Sequence, residues 1–224
     1  MKTTLQTAVT SLIGLAVFGL LLFWPAGTFD YWQAWAFIAV FSLCTLVPSI
    51  YLLVNNPAAL ERRMHAGPAA ESRLTQKIVI TVAFMLLPAV MVFSALGHRF
   101  GWSPAPTAVS VIGLALVAVG LAMTQVVVIQ NSFAAANITV EDTQAVVSTG
   151  LYGVVRHPMY VGVVIMMAGV PLALGSYWGL LVLIPGLALL AVRILDEEKM
   201  LRIELAGYDE YTQKVHYRLV PYVW

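Results

Sequence analysis

Long apolar runs separated by short polar connectors set the pattern of this chain. A helix crosses a bilayer with about 20 apolar residues, in a range of roughly 17–25. The first run extends from about Leu5 to Trp24. A turn at Gly27-Thr28-Phe29-Asp30 leads into a second, Tyr31 to Val54, for which Asp30 is the expected N-cap. The polar stretch Asn55 to Lys77 is followed by a third run, Ile78 to Gly97. A loop with Arg99, Pro104 and Pro106 precedes a fourth, Thr107 to Ile129. Gln130 to His157 lacks membrane character and reads as a folded loop. The fifth run, Pro158 to Leu174, is short; Pro158 suits a first helical turn, and Gly162, Gly169 and Pro171 mark close helix packing or a kink. Ser176 opens a tight turn into the sixth run, Trp178 to Leu195. That helix is expected to continue to Ala206 and stop at Gly207.

The expected fold is therefore all-α, a polytopic membrane helix bundle with about six crossings. Its last two spans form a hairpin, and a loop and C-terminal tail lie over one end of it. Residues 1–130 would hold the four N-terminal spans, and residues 131–224 the loop, hairpin and tail. Because Trp24-Pro25-Ala26-Gly27 runs straight into another span, the first run reads as a retained helix rather than a signal peptide.

Composition agrees with this pattern. Of 224 residues, 60% are hydrophobic and only 10% charged, and the mean hydropathy is +0.86, which leaves no room for a sizeable soluble domain. A net charge of +1 without a basic tract argues against nucleic-acid binding. The single cysteine, Cys44, excludes an intrachain disulfide. Trp24, Tyr31, Trp32 and Trp35 cluster where rings sit at headgroup level. With six crossings one side receives Lys2, Arg62, Arg63, Arg73, Lys77 and Arg156, then Arg193, Lys199, Arg202, Lys214 and Arg218. The other receives Arg99 alone. The positive-inside rule then puts both termini and the Arg156 loop in the cytoplasm.

Two polar clusters stand out. Arg156 and His157 precede Pro158 at the start of the fifth helix, where unpaired backbone N–H groups and the helix dipole favour an anion. Glu197 and Glu198 lie at the far end of the sixth. Glu198 and Arg202 have the i,i+4 spacing of an ordinary surface pair, whereas Glu197 has no such partner. A tight hairpin brings the two clusters to the same side. A metal site there would lack further histidines at ligand spacing. No glycine-rich dinucleotide motif follows a strand. No acidic residue lies deep in a span to mark an ion path, and no repeat divides the chain as in many transporters, which weighs against a transporter or scaffold.

The run Gly150-Leu151-Tyr152-Gly153-Val154-Val155-Arg156-His157-Pro158-Met159-Tyr160-Val161-Gly162, with Glu197-Glu198 and then Gly207, Tyr211, Arg218 and Pro221, resembles the isoprenylcysteine carboxyl methyltransferase family. Phospholipid N-methyltransferases share the pattern. The resemblance covers about Asn131 to Pro221. It implies a membrane methyltransferase with S-adenosylmethionine as cofactor, bound by Asn137, Gln144, Ala145, Val146, Val147, Tyr152, His157, Pro158, Met159, Tyr160 and Glu198. It also implies a substrate-side arginine, for which Arg193 is the candidate. The chemistry of the cofactor adds Arg156 for its carboxylate and Glu197 or Glu198 for its ammonium and ribose hydroxyls. The acceptor would be lipophilic or small, in the first place a prenylcysteine-like carboxylate, with a phospholipid amine or a thiol as the alternative. A carboxylate nucleophile, as in prenylcysteine, needs no base, whereas an amine or thiol would need His157 or a glutamate such as Glu197. Membrane sterol reductases, which bind NADPH, resemble the same C-terminal region; the chain lacks an extra basic cluster for a 2′-phosphate.

Overall fold

The computed structural model describes residues 2–64, 67, 69, 71, 74–102, 105–134 and 144–224. Among the described residues eight α-helices follow one another: α1 (Lys2–Ala26), α2 (Trp32–Asn55), α3 (Pro57–Met64), α4 (Leu74–Phe100), α5 (Thr107–Gln130), α6 (Pro158–Ala173), α7 (Leu183–Glu204) and α8 (Tyr208–Lys214). Short 3₁₀ turns at Gly150–Gly153 and Trp178–Val182 precede α6 and α7. The fold is all-α, with no strand element among the described residues.

Among the described residues four helices are long and apolar enough to cross a bilayer: Trp32–Asn55, Gln76–Phe100, Thr107–Gln130 and Trp178–Glu204, with mean hydropathies of 2.2 to 2.5. Leu12–Ala26 and Pro158–Ala173 are shorter apolar helices. The protein is thus an integral membrane protein whose apolar helices follow the expected order. At 16 residues α6 rises only about 24 Å, less than the roughly 30 Å hydrocarbon layer.

Close approach of α5 and α6 is the main packing feature. Lipid is as apolar as the side chains, so helices associate through tight van der Waals contact, and small residues permit it. A Cβ at Gly120 would fall 2.5 Å from Gly162 O and 2.5 Å from Met166 N. At Gly169 it would fall 2.7 Å from Gly113 O, and at Gly113 only 2.1 Å from Ala173 N. Gly113 and Gly120 therefore face Gly169 and Gly162 across an antiparallel seam. The close packing expected at Gly162 and Gly169 is present, with α5 as the partner. The ends of α6 and α7 also converge, as a hairpin requires: Tyr160 Oη donates to Glu197 Oε2 at 2.6 Å.

Some local expectations are corrected. Tyr31, not Asp30, is the N-cap of α2, and it makes no side-chain capping bond. The Asp30 N–H is taken by Thr28 Oγ1 at 3.0 Å. Burial decides the helix start: Tyr31 is 1% exposed and donates its hydroxyl to Leu174 O at 2.6 Å. The polar connector after α2 also contains a helix, α3, whose Ala59 and Leu60 pack with Leu52 and Val128. α7 ends at Glu204 with Leu205 as its C-cap, short of the expected stop at Ala206–Gly207; Gly207 is instead the N-cap of α8, with φ +82°, a left-handed conformation that a residue without Cβ adopts freely. Beyond it the tail forms α8 before folding back.

Candidate active site

The start of α6 is fixed from three directions. Pro158 occupies its first turn and His157 its N-cap, with no side-chain capping bond. The C-terminal tail runs alongside. The Arg156 N–H donates to Tyr217 O at 2.8 Å and the His157 N–H to Arg218 O at 3.0 Å. Arg156 Nη2 donates to His216 O at 3.0 Å. Arg156 and His157 are consequently buried, 8% and 5% exposed, rather than standing at an open helix end.

Glu198 binds this arrangement together. It is 3% exposed. Arg156 Nη1 lies 3.0 Å from its Oε1, and His157 Nε2 lies 3.3 Å from the same oxygen. Arg218 donates to Oε2 through Nε at 3.0 Å and Nη2 at 2.9 Å. Two guanidinium groups thus share one carboxylate, which leaves net positive charge at the cluster. Arg202, expected beside Glu198, instead pairs with Asp209 at 2.7 Å on the surface. The i,i+4 rule describes an exposed helix face, and Glu198 is on the buried one.

Glu197, one residue away, belongs to a second network. Tyr160 Oη, its donor, accepts a bond from Arg193 Nε at 2.9 Å. Arg193 Nη1 reaches Gln76 Oε1 at 2.8 Å and Glu71 Oε1 at 3.3 Å. Gln76 is 0% exposed and donates its Nε2 to Asp196 Oδ2 at 2.5 Å. Arg193, the substrate-side candidate, is therefore engaged by Glu71, Gln76 and Tyr160.

A cleft of about 790 Å³, measured to its open mouth, lies above these clusters. One wall is the segment Gln144, Ala145, Val146 and Val147; another is Tyr152 with Arg156, His157, Pro158, Met159 and Tyr160; Glu197 completes the predicted set. Glu198 is not among the lining residues and supports Arg156 and His157 from behind. Arg193 does not line it either and reaches it only through Tyr160. Asn137 lies outside the described residues.

Sequence reasoning missed part of the lining. Asn131, Phe133 and Ala134 lie just after α5, and Met200 and Leu201 belong to α7, with Leu205 as its C-cap. Met200, Leu201 and Leu205 lie three, four and eight positions after Glu197, so following that helix face through to its C-cap would have found them. Tyr208 and Tyr211 of α8 close the cleft. Asn131 Nδ2 donates to Tyr152 Oη at 3.3 Å, and Tyr211 Oη donates to Tyr152 O at 2.7 Å. Burial pushes the Tyr152 hydroxyl up to about 12, opposed by the Asn131 bond and assisted by the Glu197 charge. Burial likewise raises Tyr208 and Tyr211, so all three remain neutral donors near neutral pH. Among the described residues two buried polar atoms of cleft-lining side chains have no partner, Arg156 Nε and Tyr208 Oη.

No curated protein matches the chain. The recognisable region begins one helix earlier than the resemblance from Asn131 indicated, in keeping with the glycine seam that joins α5 to α6. Residues 108–204 match the family model of phospholipid methyltransferases, so α5, α6 and α7 carry the pattern of that family.

Proposed function

We propose that the protein is an integral membrane methyltransferase that uses S-adenosylmethionine and methylates a lipophilic acceptor at the cytoplasmic face. The observation that carries this reading is convergence. The Gln144–Val147 segment, Arg156 to Tyr160 and Glu197 line one cleft, within or beside the family-matched region. The charge asymmetry of the sequence supports the cytoplasmic placement of the cleft and both termini.

The residues fit the cofactor. A carboxylate needs donors, and Arg156 offers a buried Nε without a partner beside net positive charge. Glu197 offers a carboxylate for an ammonium or for ribose hydroxyls, and Val146, Val147, Leu201 and Leu205 offer apolar surface for a base. Bound S-adenosylmethionine supplies a methyl group already activated on a sulfonium. The protein has then to align a nucleophile and exclude water, which needs no catalytic triad. Glu198 holds His157 through Nε2; with that nitrogen protonated, Nδ1 is left to accept a proton from an amine or thiol. A carboxylate acceptor needs no such step but gains from a cationic partner. The engagement of Arg193 by Glu71 and Gln76 therefore favours an amine over a carboxylate.

Membranes containing the protein, incubated with methyl-labelled S-adenosylmethionine, test this. Label should enter the lipophilic fraction. Base-stable label identifies an amine acceptor and base-labile label an ester. Transfer no greater than in membranes lacking the protein would contradict the proposal.

A further inference from the structure

Arg63 is a cation in an apolar setting. It lies near the end of α3, whose Ala59 and Leu60 pack with Leu52 of α2 and Val128 of α5; Leu53, Met64 and Met159 border the same cluster. Leu52 and Val128 belong to the last turns of their helices, so α3 sits where two apolar spans leave the bilayer. The Arg63 side chain is half-buried, and its Nη1 donates to Gln125 Oε1 of α5. Among the described residues this neutral amide is its one polar partner. By contrast, Arg156 and Arg218 share Glu198, and Arg193 meets Glu71. Burial holds the Arg63 guanidinium below its ordinary pKa, as expected of a charge that gives up water without gaining an anion. Gln125 is 7% exposed within an apolar helix, where an amide is costly unless its hydrogen bond is made. Arg63 Nε and Nη2 make no bond yet are not enclosed, so they remain open to whatever surrounds α3.

We propose that Arg63, oriented by Gln125, binds the phosphate diester of a phospholipid in the cytoplasmic leaflet. The guanidinium fork presents paired donors that fit two oxygens of a phosphate, and Arg63 has such donors to spare. At the depth where spans end, lipid phosphates are the anions at hand, and basic pockets between helices on the cytoplasmic side hold headgroups. Leu53 and Met64 offer apolar surface beside the site for the start of an acyl chain. Neither Arg63 nor Gln125 lines the cleft, and α3 lies outside the family-matched residues 108–204. The lipid site therefore stands apart from the reading of the cleft as a methyltransferase centre.

The test uses the purified full chain in dodecyl maltoside micelles, to which dioleoylphosphatidylglycerol or a neutral dioleoyl glycolipid is added. The phospholipid should raise the thermal midpoint of wild type well beyond any rise with the glycolipid. Arg63→Met keeps an apolar stem beside Met64. Its lipid-free midpoint should be unchanged or higher, and the phospholipid should bind at least about tenfold more weakly. Arg63→Lys keeps the charge without the fork and should bind more tightly than Arg63→Met but less tightly than wild type. Arg202→Ala, which removes an exposed cation elsewhere, should respond as wild type does. An equal rise with the glycolipid, or wild-type phospholipid affinity in Arg63→Met, would overturn the site. A loss as large in Arg202→Ala would reduce the effect to net charge and overturn it too. If inorganic phosphate alone reproduced the rise that depends on Arg63, the anion would come from solution and the lipid assignment would fall.

Discussion

Substitution of Glu198 is expected to have large effects on both stability and ligand binding. Its carboxylate is 3% exposed and shared by Arg156, His157 and Arg218. Glu198→Leu replaces the carboxylate with an apolar side chain of similar size and removes the charge. The Arg156 side chain, 6% exposed, would then be a buried cation without its counter-ion. Removing one partner of a buried pair costs about 3–5 kcal/mol. The Arg218 side chain is 25% exposed and can turn to water, so its share stays near the surface-pair range of about 0–1 kcal/mol. The sum is a substantial part of a total stability of roughly 5–15 kcal/mol. Glu198→Gln should lose less, since its amide oxygen can still accept one bond. Denaturant unfolding in detergent, followed by tryptophan fluorescence, reads these differences, with Arg218→Ala as the comparison. If Glu198→Leu lies within about 1 kcal/mol of wild type, or Arg218→Ala costs as much, the carboxylate is not the centre of the cluster.

Other substitutions probe the seam and the second network. Gly120→Ala sets a Cβ against backbone at 2.5 Å and should cost about 1–3 kcal/mol by denaturant unfolding, whereas Gly14→Ala, with nothing within 4 Å, should be neutral or stabilising. Gln76→Leu takes one acceptor from Arg193 and one donor from Asp196. It should cost about 1–3 kcal/mol in the same assay and lower the methylation rate more than S-adenosylhomocysteine affinity, through displacement of Tyr160 and Glu197. Arg202→Ala breaks a pair whose side chains are 47% and 56% exposed, and its thermal midpoint should stay close to wild type.

The spans were legible because a run of about 20 apolar residues has few alternatives in lipid. Convergence of Arg156 and His157 with the two glutamates followed from the hairpin alone. The division of labour between Glu197 and Glu198 did not. Adjacent helix positions differ by about 100° in direction, and only packing shows which faces the cleft and which the tail. Glu198 also spaces correctly with Arg202, so local pattern pointed to a surface pair that tertiary burial overrides. Gly113 and Gly120 were visible in the sequence, but their meaning depends on the antiparallel register with Gly169 and Gly162. Gln76 was hidden for another reason: its partners, Arg193 and Asp196, lie 117 and 120 residues away, beyond any local rule. The helices α3 and α8, of 8 and 7 residues, are too short to leave a strong periodic signal.

The central claim is that this cleft holds S-adenosylmethionine, and calorimetric titration of the purified protein with S-adenosylhomocysteine tests it most directly. Micromolar binding by wild type, weakened at least about tenfold in His157→Ala and in Glu197→Ala, is the predicted result. No binding by wild type, or equal binding by all three proteins, would contradict the account.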